Sequence, residues 1–568
     1  MNDIRRTVLW VIFGFSMVML WDQWQVFNGR PGTFLIGTHK PAASAPAAAS
    51  SAVPASSAAT AAPTTGTPGA TALPGTPTAA PAVAAERFTV TTDVMKVTFD
   101  TEGGSVVRTE FTGHTGDKGL GHGDTFVLLD QSPEHTYVAQ SGLIGGDFPN
   151  HKTVMKASGE RELKPGANEL TVRFESPEKN GVKLVKTYTI KRGAYDMAVK
   201  HEVINVGTAP VNPQLYVQIV RDGTKLGGGG GGMFAPASTY TGPAVYTEEK
   251  KYQKVSFEDV DKNKADFQKE SSNGYVAMVQ HYFASAWVLP DGLKRDIFVR
   301  KVDSNYAVGM IEPLAAVAPG TTKAVDAKFF AGPEDEKMLE QIAPGLDLVK
   351  DYGMFAILAK PLYWLLSKLH GFIGNWGWSI VALVLLIKVA FYWLQAKGYE
   401  SMAKMKAINP KVQALRERYK DNPQQMQQEM MRIYREEKVN PLGGCLPIFI
   451  QIPVFIALYW VLLSSVEMRG APWIGWIHDL SVKDPYFILP TVMTLTTLLQ
   501  TALNPAPPDP MQARMMWIMP LVFAVMFFFF PAGLVLYWVT NNLLSIAQQW
   551  LINTRMGVKV EFNLPKFK

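Results

Sequence analysis

Lys388 is the only formally charged residue inside the long apolar runs that fill the C-terminal part of this chain. An ammonium at the centre of a membrane helix costs roughly 2.5 to 3.5 kcal/mol on insertion scales, so something must offset it. The runs contain no Asp or Glu to pair with it. Two offsets stay open: the stem snorkels to the interface with local bilayer thinning, or water reaches the amine through a cavity facing the cytoplasm. The interface lies about nine residues away, roughly 14 Å at 1.5 Å per residue, beyond the reach of the side chain. That distance favours the cavity. Polar residues in neighbouring runs are candidates to line it: Gln451, Ser464, Gln500, Thr540, Asn541 and Asn542. Each alone reads as helix-to-helix glue. As a set around a lysine they predict a wet, positive groove, which shortens the hydrocarbon path for a polar tail and attracts acidic residues on it.

Other residue types exclude chemistry more than they offer it. Cys445 is the single cysteine, so no internal disulfide forms, and without His or Cys neighbours it makes neither a zinc site nor a redox pair. The run Gly227 to Gly232 lacks the Lys-Ser/Thr of a phosphate-binding loop and no helical pattern follows it, so it reads as a surface loop. No metal, cofactor or catalytic pair is expected. Met402, Met405, Met426, Met430 and Met431 form a soft apolar surface of the kind that accepts varied partners, or else they pack two helices together.

The elements that must position these residues follow from composition and period. The chain has 568 residues, 47% of them hydrophobic and only 18% charged, too many for one domain and too apolar to be wholly soluble. A bilayer core of about 30 Å needs roughly 20 apolar residues in a helix. Five C-terminal stretches approach that: Trp376 to Leu394, Leu442 to Val466, Tyr486 to Leu503, Met515 to Phe530 and Ala532 to Ile552. Thr7 to Trp21, preceded by Arg5 and Arg6, is a sixth, read as a retained anchor over 1–24, with a cleaved signal peptide as the alternative. Residues 41–85 are Ala, Pro, Ser, Thr and Gly with few apolar side chains, a tether that cannot pack a core.

Period-two runs separated by glycine turns fill 86–345 and predict a large antiparallel β-sandwich. Residues 354–373 place Leu362, Leu365, Leu366, Leu369, Phe372 and Ile373 at helical spacing, with Lys360, Ser367 and Lys368 opposite, as an interfacial amphipathic helix would. The loop 398–438 reads as a helical hairpin broken at Asp421-Asn422-Pro423. Its many Lys and Arg residues place it in the cytoplasm. The next loop, Glu467 to Lys483, carries Trp473 and Trp476 and little charge, as an outer loop would. Both termini then lie inside, and the sandwich lies on the far side. The net charge of +6 is therefore topology, with no nucleic-acid recognition implied.

Several strings together resemble the YidC family of membrane protein insertases, in its long Gram-negative form. They are Gly374-Asn-Trp-Gly-Trp-Ser379, Ser401-Met-Ala-Lys-Met-Lys406, Glu437-Lys-Val-Asn-Pro-Leu-Gly-Gly-Cys445, Trp476-Ile-His-Asp-Leu-Ser481, Asp484-Pro-Tyr-Phe-Ile-Leu-Pro490 and Pro531-Ala-Gly-Leu-Val-Leu-Tyr537. In the sandwich the resemblance rests on Thr101-Glu-Gly-Gly-Ser105, Ala331-Gly-Pro333 and Ala343-Pro-Gly-Leu346. It implies six transmembrane helices, with residues 375–568 as a five-helix insertase core, plus a periplasmic β super-sandwich of the galactose mutarotase type. It also implies a bacterial inner-membrane location and a groove open to cytoplasm and lipid but closed to the periplasm. The family's usual groove arginine is Lys388 here, which keeps the charge and gives up the planar fork. Tyr537 and Trp538 fall where the family touches substrate. The implied partners are nascent membrane proteins, the Sec translocon (SecYEG and SecDF), ribosomes or targeting factors at the cytoplasmic face, and the bilayer.

Two other functions compete. A transporter or channel could use an intramembrane lysine, although no inverted repeat, second buried charge or filter string accompanies it. A sugar-processing enzyme could occupy a mutarotase-like sandwich, although no Glu and His there form a defensible catalytic pair.

Overall fold

A computed structural model describes residues 85–114, 125–224, 240–419, 422–437, 446–504 and 510–555, together with Gly557 and Phe562. The expected anchor at 1–24, the tether apart from Ala85, the Gly227–Gly232 run, Cys445 and the basic residues Lys559, Lys566 and Lys568 lie outside the described residues. The chain divides into two compact units. One comprises residues up to Glu110, Leu128–Met278 and Ser285–Phe330; the other comprises Phe111–Val127, Val279–Ala284 and Ala331 onward.

The first unit is built on antiparallel pairing. A ten-stranded sheet runs, in spatial order, through Arg87–Thr91, Met95–Asp100, Ser105–Phe111, Thr136–Ile144, Gln214–Asp222, Asn305–Pro313, Arg295–Val302 and Glu270–Ser271, with the short strands Phe126–Val127 and Asp130–Gln131 paired to its third and fourth members. A nine-stranded sheet runs through Lys251–Lys254, Gly242–Thr247, Tyr275–Gln280, Phe283–Val288, Thr322–Pro333, Asp196–Asn205, Val182–Lys191, Glu169–Glu175 and Lys156–Gly159. Strand alternation decides which side chains enter the core. In Glu169–Glu175, Leu170, Val172 and Phe174 are buried while Glu169, Thr171, Arg173 and Glu175 are exposed. The rings of Phe99, Phe174 and Tyr188 meet at 4.9 to 5.8 Å.

One polar cluster interrupts this core. Register pairs Lys186 with Phe174 on one side and with His201 on the other, so both polar residues face inward. Lys186 is fully buried, and its amine donates to the carbonyls of Gly103 at 2.5 Å and Ser141 at 2.7 Å. Tyr188 donates to the Gly104 carbonyl at 2.8 Å, and the His201 ring bonds the Ser141 hydroxyl at 2.9 Å. The Thr101–Ser105 string makes the turn that presents these carbonyls. Gly103 and Gly104 have φ of 73° and 57°, and a Cβ on Gly104 would stand 2.8 Å from the Phe174 ring. With no counter-charge beside it among the described residues, burial pushes the Lys186 amine down to about 7. Burial and the nearby Lys186 push His201 down to about 3.

In the second unit, Ala356–Ile373 forms a helix that ends at Gly374 in the left-handed conformation, φ 74°. With the sandwich helix Phe257–Asp261 as α1 and Glu336–Ile342 as α2, this is α3. Asn375 then caps α4, Trp376–Ala390, by accepting from the Trp378 amide, and its own amide donates to the carbonyls of Pro472 and Trp473. The chain continues as α5 (Tyr392–Arg418), α6 (Pro423–Glu436), α7 (Leu446–Ser464), α8 (Ile488–Leu503), α9 (Pro510–Phe527) and α10 (Ala532–Arg555).

Three sequence expectations change here. The span Trp376 to Leu394 is not one straight helix: α4 and the start of α5 meet at Phe391 with a bend of 69°. Among the described residues no single helix is long and apolar enough to cross a bilayer, whereas this bent pair together is. The first hairpin helix accordingly starts at Tyr392 and not at Gly398. The face of α3 differs in part. Leu366 is buried and Leu362, Leu365 and Leu369 pack against the same core as expected, together with Ala359 and Tyr363, whereas Phe372 is 90% exposed and stands with Ile357 and Trp364 on an open apolar surface. A helix that is apolar toward both its neighbours and lipid has no single stripe, so periodicity merged the two faces.

Beneath α3 lies a polar anchor. The Lys350 side chain has no exposed surface and pairs with Glu467 at 3.5 Å, while its amine sits 3.9 Å from the centre of the Tyr363 ring. The Tyr363 hydroxyl also donates to Glu467. Nearby, Lys360 pairs with Asp347 at 2.9 Å and Glu336 at 3.8 Å, supplying positive charge to the acidic trio Glu336, Glu340 and Asp347.

Candidate functional site

Lys388 occupies the last turn of α4, three residues before the bend at Phe391. Mid-span in sequence is therefore the end of a helix in space, where free carbonyl ends favour a cation. The residue is only 8% exposed. Its amine donates to the Ser545 hydroxyl on α10 at 2.6 Å and to the Gln395 side-chain carbonyl on α5 at 3.4 Å. Among the described residues no carboxylate neutralises it. The hydrogen bonds are satisfied by neutral groups while the charge is not.

The amine borders a recess of about 30 Å³, lined by Lys388 and Gln395 with Gln451 on α7 and Tyr537 and Asn541 on α10; apolar walls come from Val384, Ile387, Phe391, Leu394 and Val454. That volume has room for roughly two waters. Tyr537, Asn541 and Ser545 recur every four residues, which places them on one stripe of α10. The Tyr537 ring stacks on Phe455 with centroids 6.0 Å apart.

The remaining expected residues lie elsewhere. Asn542 donates to Thr496 and Thr497 at 3.2 and 2.8 Å and fastens α10 to α8. Thr540 and Ser464 bond the carbonyls four residues back, those of Leu536 at 2.9 Å and Trp460 at 2.7 Å. Trp538 packs edge-on to Phe455 at 4.6 Å and against Phe527 at 4.9 Å. Gln500 is half-buried on α8 and does not line the recess. In the hairpin, Met402, Met405, Met426 and Met430 are half-buried and Met431 is 46% exposed. Lys411 and Glu437, 2.6 Å apart, tie its two helices. Ser545 and Gln395 were absent from the sequence reading; the four-residue step from Asn541 was the available signal for Ser545.

An apolar helical unit with a buried, uncompensated cation, carried in one chain with a large antiparallel sandwich, defines a polytopic membrane protein with an extramembrane β domain. Residues 87–365 match the family described as YidC periplasmic domain, and residues 368–559 match the family described as 60Kd inner membrane protein. The membrane protein insertase YidC of Cupriavidus necator is 55% identical over 557 residues, 98% of both chains. That of Burkholderia cenocepacia is 54% identical over 564 residues, covering 98% of this chain and 99% of its own. A crystal structure of an active YidC insertase with its first transmembrane domain resolved matches 82% of this chain and 92% of its own, at 18% identity and a TM-score of 0.38. The chain belongs to the YidC family of inner-membrane proteins and is a membrane protein insertase.

Proposed function

We propose that the Lys388 recess is the closed form of a groove that receives the polar, translocated part of an incoming membrane protein. The observation that carries this reading is an ammonium buried among neutral acceptors, with no carboxylate among the described residues to cancel its field. In a low-dielectric surround that field acts over several ångströms on an acidic residue of the client. Room for a couple of waters is too little for a peptide, so a client must part the helices around the recess, with Gln451, Tyr537 and Asn541 supplying its first polar contacts. Ser464, Gln500, Trp538, Thr540 and Asn542 then serve the helix framework, and the hairpin methionines offer an adaptable surface to client or partner.

The basic hairpin sets the groove's open side in the cytoplasm, both termini inside, and the sandwich in the periplasm. Delivery by ribosomes or targeting factors at the hairpin, and cooperation with SecYEG and SecDF, complete the proposal. The activity is binding and release, without covalent catalysis.

The test uses proteoliposomes and clients whose translocated tails differ only in charge. Lys388→Arg keeps insertion within about two-fold, while Lys388→Glu lowers insertion of acidic-tail clients by about ten-fold, because like charges now face each other. Normal insertion by Lys388→Glu would refute the electrostatic role. Ion or solute flux by the pure protein, without client insertion, would favour a transporter.

A further inference from the structure

Serine and threonine inside membrane helices ordinarily bond the carbonyl one turn back. Ser379, Ser464, Ser465, Thr540 and Thr554 all do so here, with their partners four residues earlier. Ser545 departs from the pattern. It is 2% exposed, and its hydroxyl accepts from the Lys388 amine at 2.6 Å.

We propose that Ser545 is a positioning residue for Lys388, holding the aim of the groove cation. This rests on the groove reading above and deepens it. An ammonium has three N–H bonds; Ser545 and Gln395 take two, which leaves the third for the recess and for a client carboxylate. Were the Ser545 acceptor lost, the flexible four-carbon stem would sample several rotamers and present the charge to the recess for only part of the time.

The experiment measures the ratio of acidic-tail to neutral-tail insertion by the full-length protein in proteoliposomes. Ser545→Ala lowers that ratio about ten-fold, as expected for losing one hydrogen bond to a charged group. Ser545→Thr, which keeps the hydroxyl, restores the ratio. A purely structural serine would depress both clients alike and leave the ratio within two-fold of the parent, which would overturn the proposal. Lys388→Ala run in parallel separates the two readings. If the ratio survives Lys388→Ala, the electrostatic groove itself fails; if it falls there but survives Ser545→Ala, only the positioning role fails.

Discussion

Lys388 and Lys186 are both buried lysines, and their surroundings set them to opposite tasks. Lys388 meets a hydroxyl and an amide beside a small recess, whereas Lys186 is sealed in the sandwich with two backbone carbonyls, which match the two N–H bonds of a neutral amine. The Lys186 amine titrates near 7 when folded and near 10.5 when exposed. Between those values the unfolded chain holds a proton that the folded chain has lost, so stability rises with pH through that window and is flat below it for this group. Unfolding of the sandwich in the full chain, followed by tryptophan fluorescence, should become harder by up to about 1.4 kcal/mol per pH unit from 7 to 10. Lys186→Met should remove that slope. His201 acts at the other end, because its neutral folded form loses stability as pH falls from 6.5 toward 3. Neither residue was legible in sequence as a core position, since alternation reserves such sites for apolar side chains and only the register shows the exception.

At the scale of elements, the Gly374–Ser379 string was readable as a junction, and each residue type explains itself in place: a left-handed glycine ends α3 and an asparagine caps α4. The 69° bend was not readable, because neither proline nor glycine marks Phe391. The anchor beneath α3 was invisible for a different reason. Lys350 and Glu467 are more than a hundred residues apart, and each alone looks like an ordinary loop charge. Breaking a buried pair strands one charge, at a cost of about 3 to 5 kcal/mol. Glu467→Gln should therefore lower the unfolding free energy of the detergent-solubilised protein by about 3 kcal/mol, and adding Lys350→Met should recover most of it. If the double variant were no more stable than the single one, the pair would not be what holds α3 in place.

Taken as a whole molecule, the chain keeps its two kinds of physics apart. All the residues that border the recess fall between Val384 and Asn541, and none comes from the sandwich strands. Removing residues 86–330 while keeping α3 should leave insertion of simple clients within about two-fold, since function resides in the site and not in the fold that accompanies it. Loss of all insertion on that deletion, in a protein still reaching the membrane, would assign the sandwich a direct part.

The linear order of residues was enough to separate a strand-rich region from an apolar helical one and to isolate one charge among the spans. Those properties follow from period and from the cost of burying charge, both of which are local. Only the tertiary structure decided which polar groups meet that charge. Helix rotation and the bend at Phe391 bring Gln395, Gln451, Asn541 and Ser545 to Lys388, and turn Ser464 and Asn542 to other neighbours. In water a helix advertises its buried face by contrast with its polar one. In a bilayer both faces are apolar, so the contrast vanishes and the facing is settled by packing alone.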